Sequence, residues 1–133
     1  MADPTPMNQG LTPYISPSDA VAAAAFYEKA FGATEITPRL ADDGKRYIHC
    51  SLRINGSWLF MSDSFPDYGM PFVTPQGFNL HLQVEDADFW WQRAVAAGCE
   101  ISMPLEKQFW GDIYGQLKDP YGITWAIGGS PKA

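Results

Sequence analysis

The chain has 133 residues and a formal net charge of −6, with 46% hydrophobic, 14% aromatic and 18% charged residues. That length suits one domain able to bury a core without staples, and an acidic chain without a basic face is a poor match for nucleic acid or an anionic membrane. No apolar stretch approaches the roughly 18 residues of a membrane span.

Residues 1–10 are polar and proline-containing, lack the basic segment and apolar run of a signal peptide, and are expected to be a disordered or extended tail. A short strand is expected over 11–15. Ser18 reads as the N-cap of a helix over 19–31, with Asp19 in its first turn and Gly32 as its stop. Ala22, Phe26 and Ala30 fall on one face of that helix. A strand over 36–40 follows. Residues 47–54 alternate, turn at Asn55-Gly56 and resume over 58–62, a hairpin signature. Residues 64–77 carry prolines and glycines and read as a linker.

Alternation returns over 79–84. A second helix is expected over 87–97, opened by Asp86 and Asp88, stopped by Gly98, with Trp90, Ala94 and Ala97 as its apolar stripe. Strands are then expected over 100–103, 113–118 and 123–127, the last two joined through Asp119-Pro120-Tyr121-Gly122, before a tail over 129–133. Gly32 and Gly98, Pro38 and Pro104, and Gly56 and Gly122 all stand 66 residues apart. A helix stop, a strand proline and a hairpin glycine thus align at one offset, which points to a duplicated module. The expected fold is α+β: two βαβββ modules in tandem, over 11–63 and 78–128, forming a curved mixed sheet, or half-barrel, around a cavity.

Strand parity sorts the side chains. Ile48, Cys50, Leu52, Ile54, Leu59, Met61, Leu80, Leu82, Val84, Ile113, Leu117, Ile123, Trp125 and Ile127 are expected on the helix side. The other side then carries His49, Arg53, Trp58, Phe60, Asn79, His81, Trp110 and Tyr114, the candidate ligand-binding set. Aromatics, amides and imidazoles in one lining suit a small-molecule pocket better than a solvated sheet face. His49 and His81, the two histidines, are the candidate acid/base or metal groups. Arg53 is the one inward cation of that set and suits an acidic ligand or a rim ion pair. Cys50 and Cys99 make no disulfide framework, and neither sits beside a histidine at a helix start, so no thiol nucleophile is expected. Unpaired cysteines point to a reducing, cytoplasmic setting.

The stretch over 25–33 (AFYEKAFGA) resembles the first helix of the glyoxalase/bleomycin-resistance/dioxygenase, or vicinal oxygen chelate, superfamily, and 49–63 (HCSLRINGSWLFMSD) and 109–125 (FWGDIYGQLKDPYGITW) are similar to its PhnB-like branch. The resemblance implies paired modules, a half-barrel cavity and a homodimer, some relatives exchanging modules between chains. It also implies metal-ligand positions near the start of each module's first strand and on its last strand. Here these fall at Thr12 or Pro13, Phe60, Asn79 and Ala126, none a strong ligand. No cofactor is therefore expected, a divalent metal being compatible only with a non-standard site. Two functions stay open. One is metal-free binding of an aromatic or cationic compound, as in bleomycin-resistance sequestration. The other is a lyase, isomerase or dioxygenase in which His49 and His81 hold a metal or serve as acid and base.

Overall fold

Each α-helix starts on an aspartate and stops on a glycine. In the computed structural model, which describes residues 6–131, α1 spans Ala20–Phe31 and α2 spans Ala87–Ala97. Asp19 accepts the Ala22 N–H at 3.0 Å and Asp86 accepts the Phe89 N–H at 3.1 Å. A carboxylate in that place satisfies a free amide and suits the positive end of the helix. The cap of α1 is therefore Asp19 rather than Ser18, whose N–H donates to the Tyr121 carbonyl at 3.1 Å. Gly32, at φ 68°, supplies the left-handed residue that ends α1.

The strands form two four-stranded sheets. β1 (Tyr14–Ile15), β2 (Thr34–Leu40), β3 (Tyr47–Ile54) and β4 (Ser57–Met61) run in the order β1-β4-β3-β2. β5 (Leu80–Gln83), β6 (Glu100–Lys107), β7 (Ile113–Lys118) and β8 (Thr124–Gly129) repeat that order as β5-β8-β7-β6. In each sheet the first strand pairs parallel to the last and the other pairs are antiparallel. The chain is thus two βαβββ modules of one topology. Asn55 at φ 51° and Gly56 at φ 80° make the β3–β4 turn with two positive φ values, as a type I′ hairpin needs. Pro38 and Pro104 lie on β2 and β6, the edge strands, where a missing N–H costs no shared ladder bond. β6 runs past the expected end at 103 because its Glu106 and Lys107 still pair with Tyr114 and Ile113. The linker holds a single 3-10 turn at Pro66–Tyr68, closed by a bridge between Phe65 and Met70.

One core serves both modules. The helices pack against each other, and a continuous buried cluster joins them to the inner faces of both sheets. The buried stripe of α1 is Ala20, Ala23, Ala24, Tyr27, Ala30 and Phe31, rotated from the expected Ala22 and Phe26. The rotation lets Phe31 stack on Trp125 of β8, with ring centroids 4.2 Å apart, and brings Tyr27 to 5.2 Å from the same indole. On α2 the buried indole is Trp91, not Trp90. Gly115 of β7 makes the space: a Cβ there would stand 2.7 Å from the Trp91 ring. Trp90 is half-buried beneath the Arg93 guanidinium, 4.5 Å from its ring centre.

Ile48 departs from its expected core position and is 52% exposed. Arg39 pairs with His49 and Leu40 with Tyr47, so Ile48 is the extra residue of a β-bulge. A bulge re-aims the side chain it carries.

Asp119 ties the modules together. Its Oδ2 accepts the Tyr27 hydroxyl at 2.5 Å and the Trp125 Nε1–H at 2.9 Å, while its Oδ1 accepts the Tyr121 and Ile123 amides at 2.8 and 3.0 Å. Four donors satisfy one buried carboxylate. Burial, with the Asp119 charge beside it, pushes the Tyr27 phenol well above its ordinary value, so it stays a donor. Asp119→Ala strands a buried hydroxyl and a buried indole N–H. The expected cost is about 3 kcal/mol, or a Tm lower by roughly 10 °C, in calorimetry. A shift under 2 °C would show the knot to be dispensable.

Candidate functional site

The residues that alternate with the core point away from the helices and make an open face on each sheet. On the first, Tyr14 stands level with Phe60, and Ser51 pairs with Phe60 from β3. The Tyr14 hydroxyl and the His49 Nδ1 are 3.0 Å apart in a hydrogen bond. The His49 ring lies 5.1 Å from Phe60 and 5.5 Å from Tyr14, and Tyr14 meets Phe60 edge-on at 6.0 Å. Three rings, one of them able to move a proton, thus form a half-exposed cluster.

The second open face carries a matching group. His81 lies nearly parallel to the Tyr114 ring, with centroids 5.8 Å apart and planes 14° apart. The His81 Nε2 and the Gln83 Oε1 are 2.8 Å apart in a hydrogen bond, and the Gln116 amide donates to the Tyr114 hydroxyl at 3.0 Å. Trp110, from the turn between β6 and β7, meets Tyr114 at 6.3 Å and Phe109 at 4.9 Å. Gly128 of β8 is the floor: a Cβ there would lie 2.8 Å from the His81 ring. A glycine inside a strand often marks such a close approach.

The structure divides the expected ligand set into groups. His49 and Phe60 meet on the first face, and His81, Tyr114 and Trp110 on the second. Trp58 and Asn79 line, with His81, a cavity of about 310 Å³ between the modules. Trp58 is buried there under the N-terminal segment. Its Nε1–H donates to the Pro6 carbonyl at 2.5 Å, and Gln9 brackets its backbone with bonds of 2.6 and 2.9 Å. Residues 6–10 of the expected tail therefore lie against β4, and residues 1–5 lie outside those described. Arg53 is a rim residue: it bonds the Gly56 carbonyl at 2.6 Å, pairs with Glu35 at 3.3 Å and lies over the Trp58 ring. Tyr14 and Gly128 were absent from the expected set. Tyr14 sits at the end of a very short strand, where alternation carries no signal.

The metal-ligand positions that the resemblance implies can be tested on donor chemistry. Register sets Tyr14 level with Phe60 and His81 level with Ala126. Tyr14 and His81 are the chain neighbours of the expected Pro13 and Asn79. A phenol, a phenyl ring and a methyl group beside one imidazole do not fit a divalent ion. Among the described residues, no group of three or more His, Cys, Asp or Glu is placed to hold a metal.

Two βαβββ modules in tandem, each with a four-stranded mixed sheet of one strand order, define the class of fold. The chain belongs to the Glyoxalase/Bleomycin resistance protein/Dioxygenase superfamily, whose model matches residues 13–127. It is 40% identical over 124 residues to the uncharacterized protein Mb0911c of Mycobacterium bovis, covering 89% of this chain and 81% of that one. Its fold is similar to the solved structures of PA1353 from Pseudomonas aeruginosa and of a PhnB protein from Bacillus cereus, described as a putative 3-demethylubiquinone-9 3-methyltransferase. For PA1353 the TM-score is 0.73 at 23% identity, covering 92% of this chain and 98% of that one. For the PhnB protein it is 0.68 at 20% identity, covering 92% and 100%. No helix among the described residues is long and apolar enough to cross a membrane.

Both thiols are buried and unpaired. Burial pushes Cys50 up to about 11 and Cys99 up to about 12, so both are protonated near neutrality. At pH 8 iodoacetamide should leave both unmodified in the native protein and label both after denaturation. Mass spectrometry reads the result, and rapid native labelling would contradict it. These thiols hold their protons more tightly when folded than when unfolded. Their contribution to stability is therefore full below the ordinary thiol value of 9.0 and declines as pH rises past it.

Proposed function

We propose that this protein is a small-molecule-binding member of its superfamily, working without a resident metal, whose ligand is a planar aromatic or cationic compound held on the open faces. The observation that carries the reading is the pair of ring clusters, Tyr14–His49–Phe60 and His81–Tyr114–Trp110, left half-exposed on sheet faces whose opposite sides are fully packed. Aromatic faces attract planar rings and cations, and the acidic net charge favours a cation further. Sequestration of a toxic compound, as in bleomycin resistance, fits such a binder. Each face supplies one wall, so a homodimer that brings a second wall opposite would enclose the ligand. The unpaired, buried thiols suit the cytoplasm.

A planar cationic dye tests the proposal. Proflavine should bind with quenched dye fluorescence, and Phe60→Ala or Tyr114→Ala should each weaken it about tenfold, since one lost stacking contact is worth about 1–2 kcal/mol. Saturable binding unaffected by both variants, or no binding at millimolar dye, would overturn it.

The Tyr14–His49 hydrogen bond favours the enzyme reading, because a phenol on Nδ1 leaves Nε2 to exchange a proton with a ligand. On that reading His49→Gln would abolish turnover of a bound compound while preserving its binding.

A further inference from the structure

A larger cavity is lined by none of the ring-cluster residues. It occupies about 890 Å³ at the end of the first sheet, between the β2–β3 loop and the linker segment 62–71. Its size is in the range of drug-sized ligand pockets.

Three observations show what would fill it. The first is its apolar wall. Ile48, Leu40, Tyr68 and Met70 line it and are 52%, 56%, 73% and 59% exposed, so four large apolar side chains gather at one place on the surface. Exposed apolar groups that cluster mark binding surfaces. The second is the β-bulge. The slipped register that removes Ile48 from the helix-facing core delivers its side chain to this cavity. Without the slip, Ile48 would continue the buried row of Cys50 and Leu52.

The third is charge. Asp42, Asp43, Asp63 and Asp67 line the cavity against a single lining cation, Arg46. Arg46 already displays the recognition chemistry. Its guanidinium bonds Asp43 at 2.6 Å and Asp67 at 2.8 and 3.0 Å, and lies 4.4 Å from the centre of the Phe65 ring. Asp63 is committed elsewhere, accepting the Ala20 and Tyr47 amides, both at 2.7 Å. Asp42 has no hydrogen bond or ion pair among the described residues, is exposed, and lines the same cavity as Ile48, Tyr68 and Met70.

We infer that this cavity is a second ligand site, selective for an amphipathic monocation: an alkyl or aryl body against Ile48, Tyr68 and Met70, with an ammonium head at Asp42. It is separate from the open-face clusters and does not depend on the function proposed for them. Anions are disfavoured by the surplus of carboxylates, and neutral amphiphiles lack the head-group contact.

The test is calorimetric titration with dodecyltrimethylammonium below its micelle concentration, with dodecanol-derived maltoside and dodecyl sulfate as neutral and anionic controls. The expected result is one saturable site for the cation. Ile48→Lys should weaken it at least tenfold and Asp42→Asn about threefold to tenfold, while Phe60→Ala leaves it unchanged. Ile48 and Asp42 are both exposed, so these variants should keep the fold, checked by circular dichroism. Absence of saturable binding would overturn the inference. So would binding indifferent to Ile48→Lys and Asp42→Asn, or equal affinity for the anion. Sedimentation run in parallel covers another occupant: if Ile48→Lys converts a dimer to monomer, the cavity is an interface between copies and the small-ligand assignment fails.

Discussion

The buried Asp119 carboxylate is the contact on which the arrangement of the two modules rests. It holds the turn that precedes β8 through two backbone amides, and it holds α1 of the other module through Tyr27. Trp125, bonded to the same oxygen, is also the ring on which Phe31 stacks. A helix from the first module is thus fixed to a strand of the second by one fully satisfied ion in a dry place. Burying a carboxylate is costly unless every lone pair finds a donor, and this one finds four. The consequence is directional: the shared core of the two modules lies on the helix side of the sheets, with Trp58 packed separately beneath the N-terminal segment. The other sides need not hold the fold together.

That division of labour leaves a different set of groups on the other sides of the strands. Cys50, Leu52, Leu117 and Ile127 are fully buried on one side of their strands. Their neighbours face the other way: His49 meets Tyr14 and Phe60 on the first sheet, and Gln116 meets Tyr114 on the second. The β-bulge at Ile48 turns a side chain out of the core, and Gly128, in regular register, leaves the space in which His81 lies. The side chains level with one another, Tyr14 with Phe60 and His81 with Ala126, do not make a donor set for a divalent ion.

Much of the fold was legible because the relevant signals are local. Asn55-Gly56 allows positive φ at two successive residues, and alternation over 47–54 and 113–118 follows from one buried face. Helix ends were legible to within a residue: Asp19 replaced Ser18 because a cap is decided by which side chain reaches the third amide. The choice between Trp90 and Trp91 was not legible, since it depends on space left by Gly115 on a strand far along the chain. Asp119 read as a turn residue; its links to Tyr27 and Trp125 are tertiary. Parity correctly put His49 and His81 off the helix side, but it could not show that they stand on different sheets with different partners. Nor could it anticipate a bulge, which shifts parity by one residue and moved Ile48 out of the core.

The central claim is that the helix-side core carries the stability while the open faces are free to bind. Thermal unfolding of a triple variant, Tyr14→Ser with His49→Ser and His81→Ser, tests it most directly. The account predicts a Tm within about 5 °C of the parent, because substitutions at exposed or half-exposed positions outside the core change stability by only about 0.5 kcal/mol each. A fall of more than about 15 °C would show that the ring clusters hold the fold together and would contradict the account.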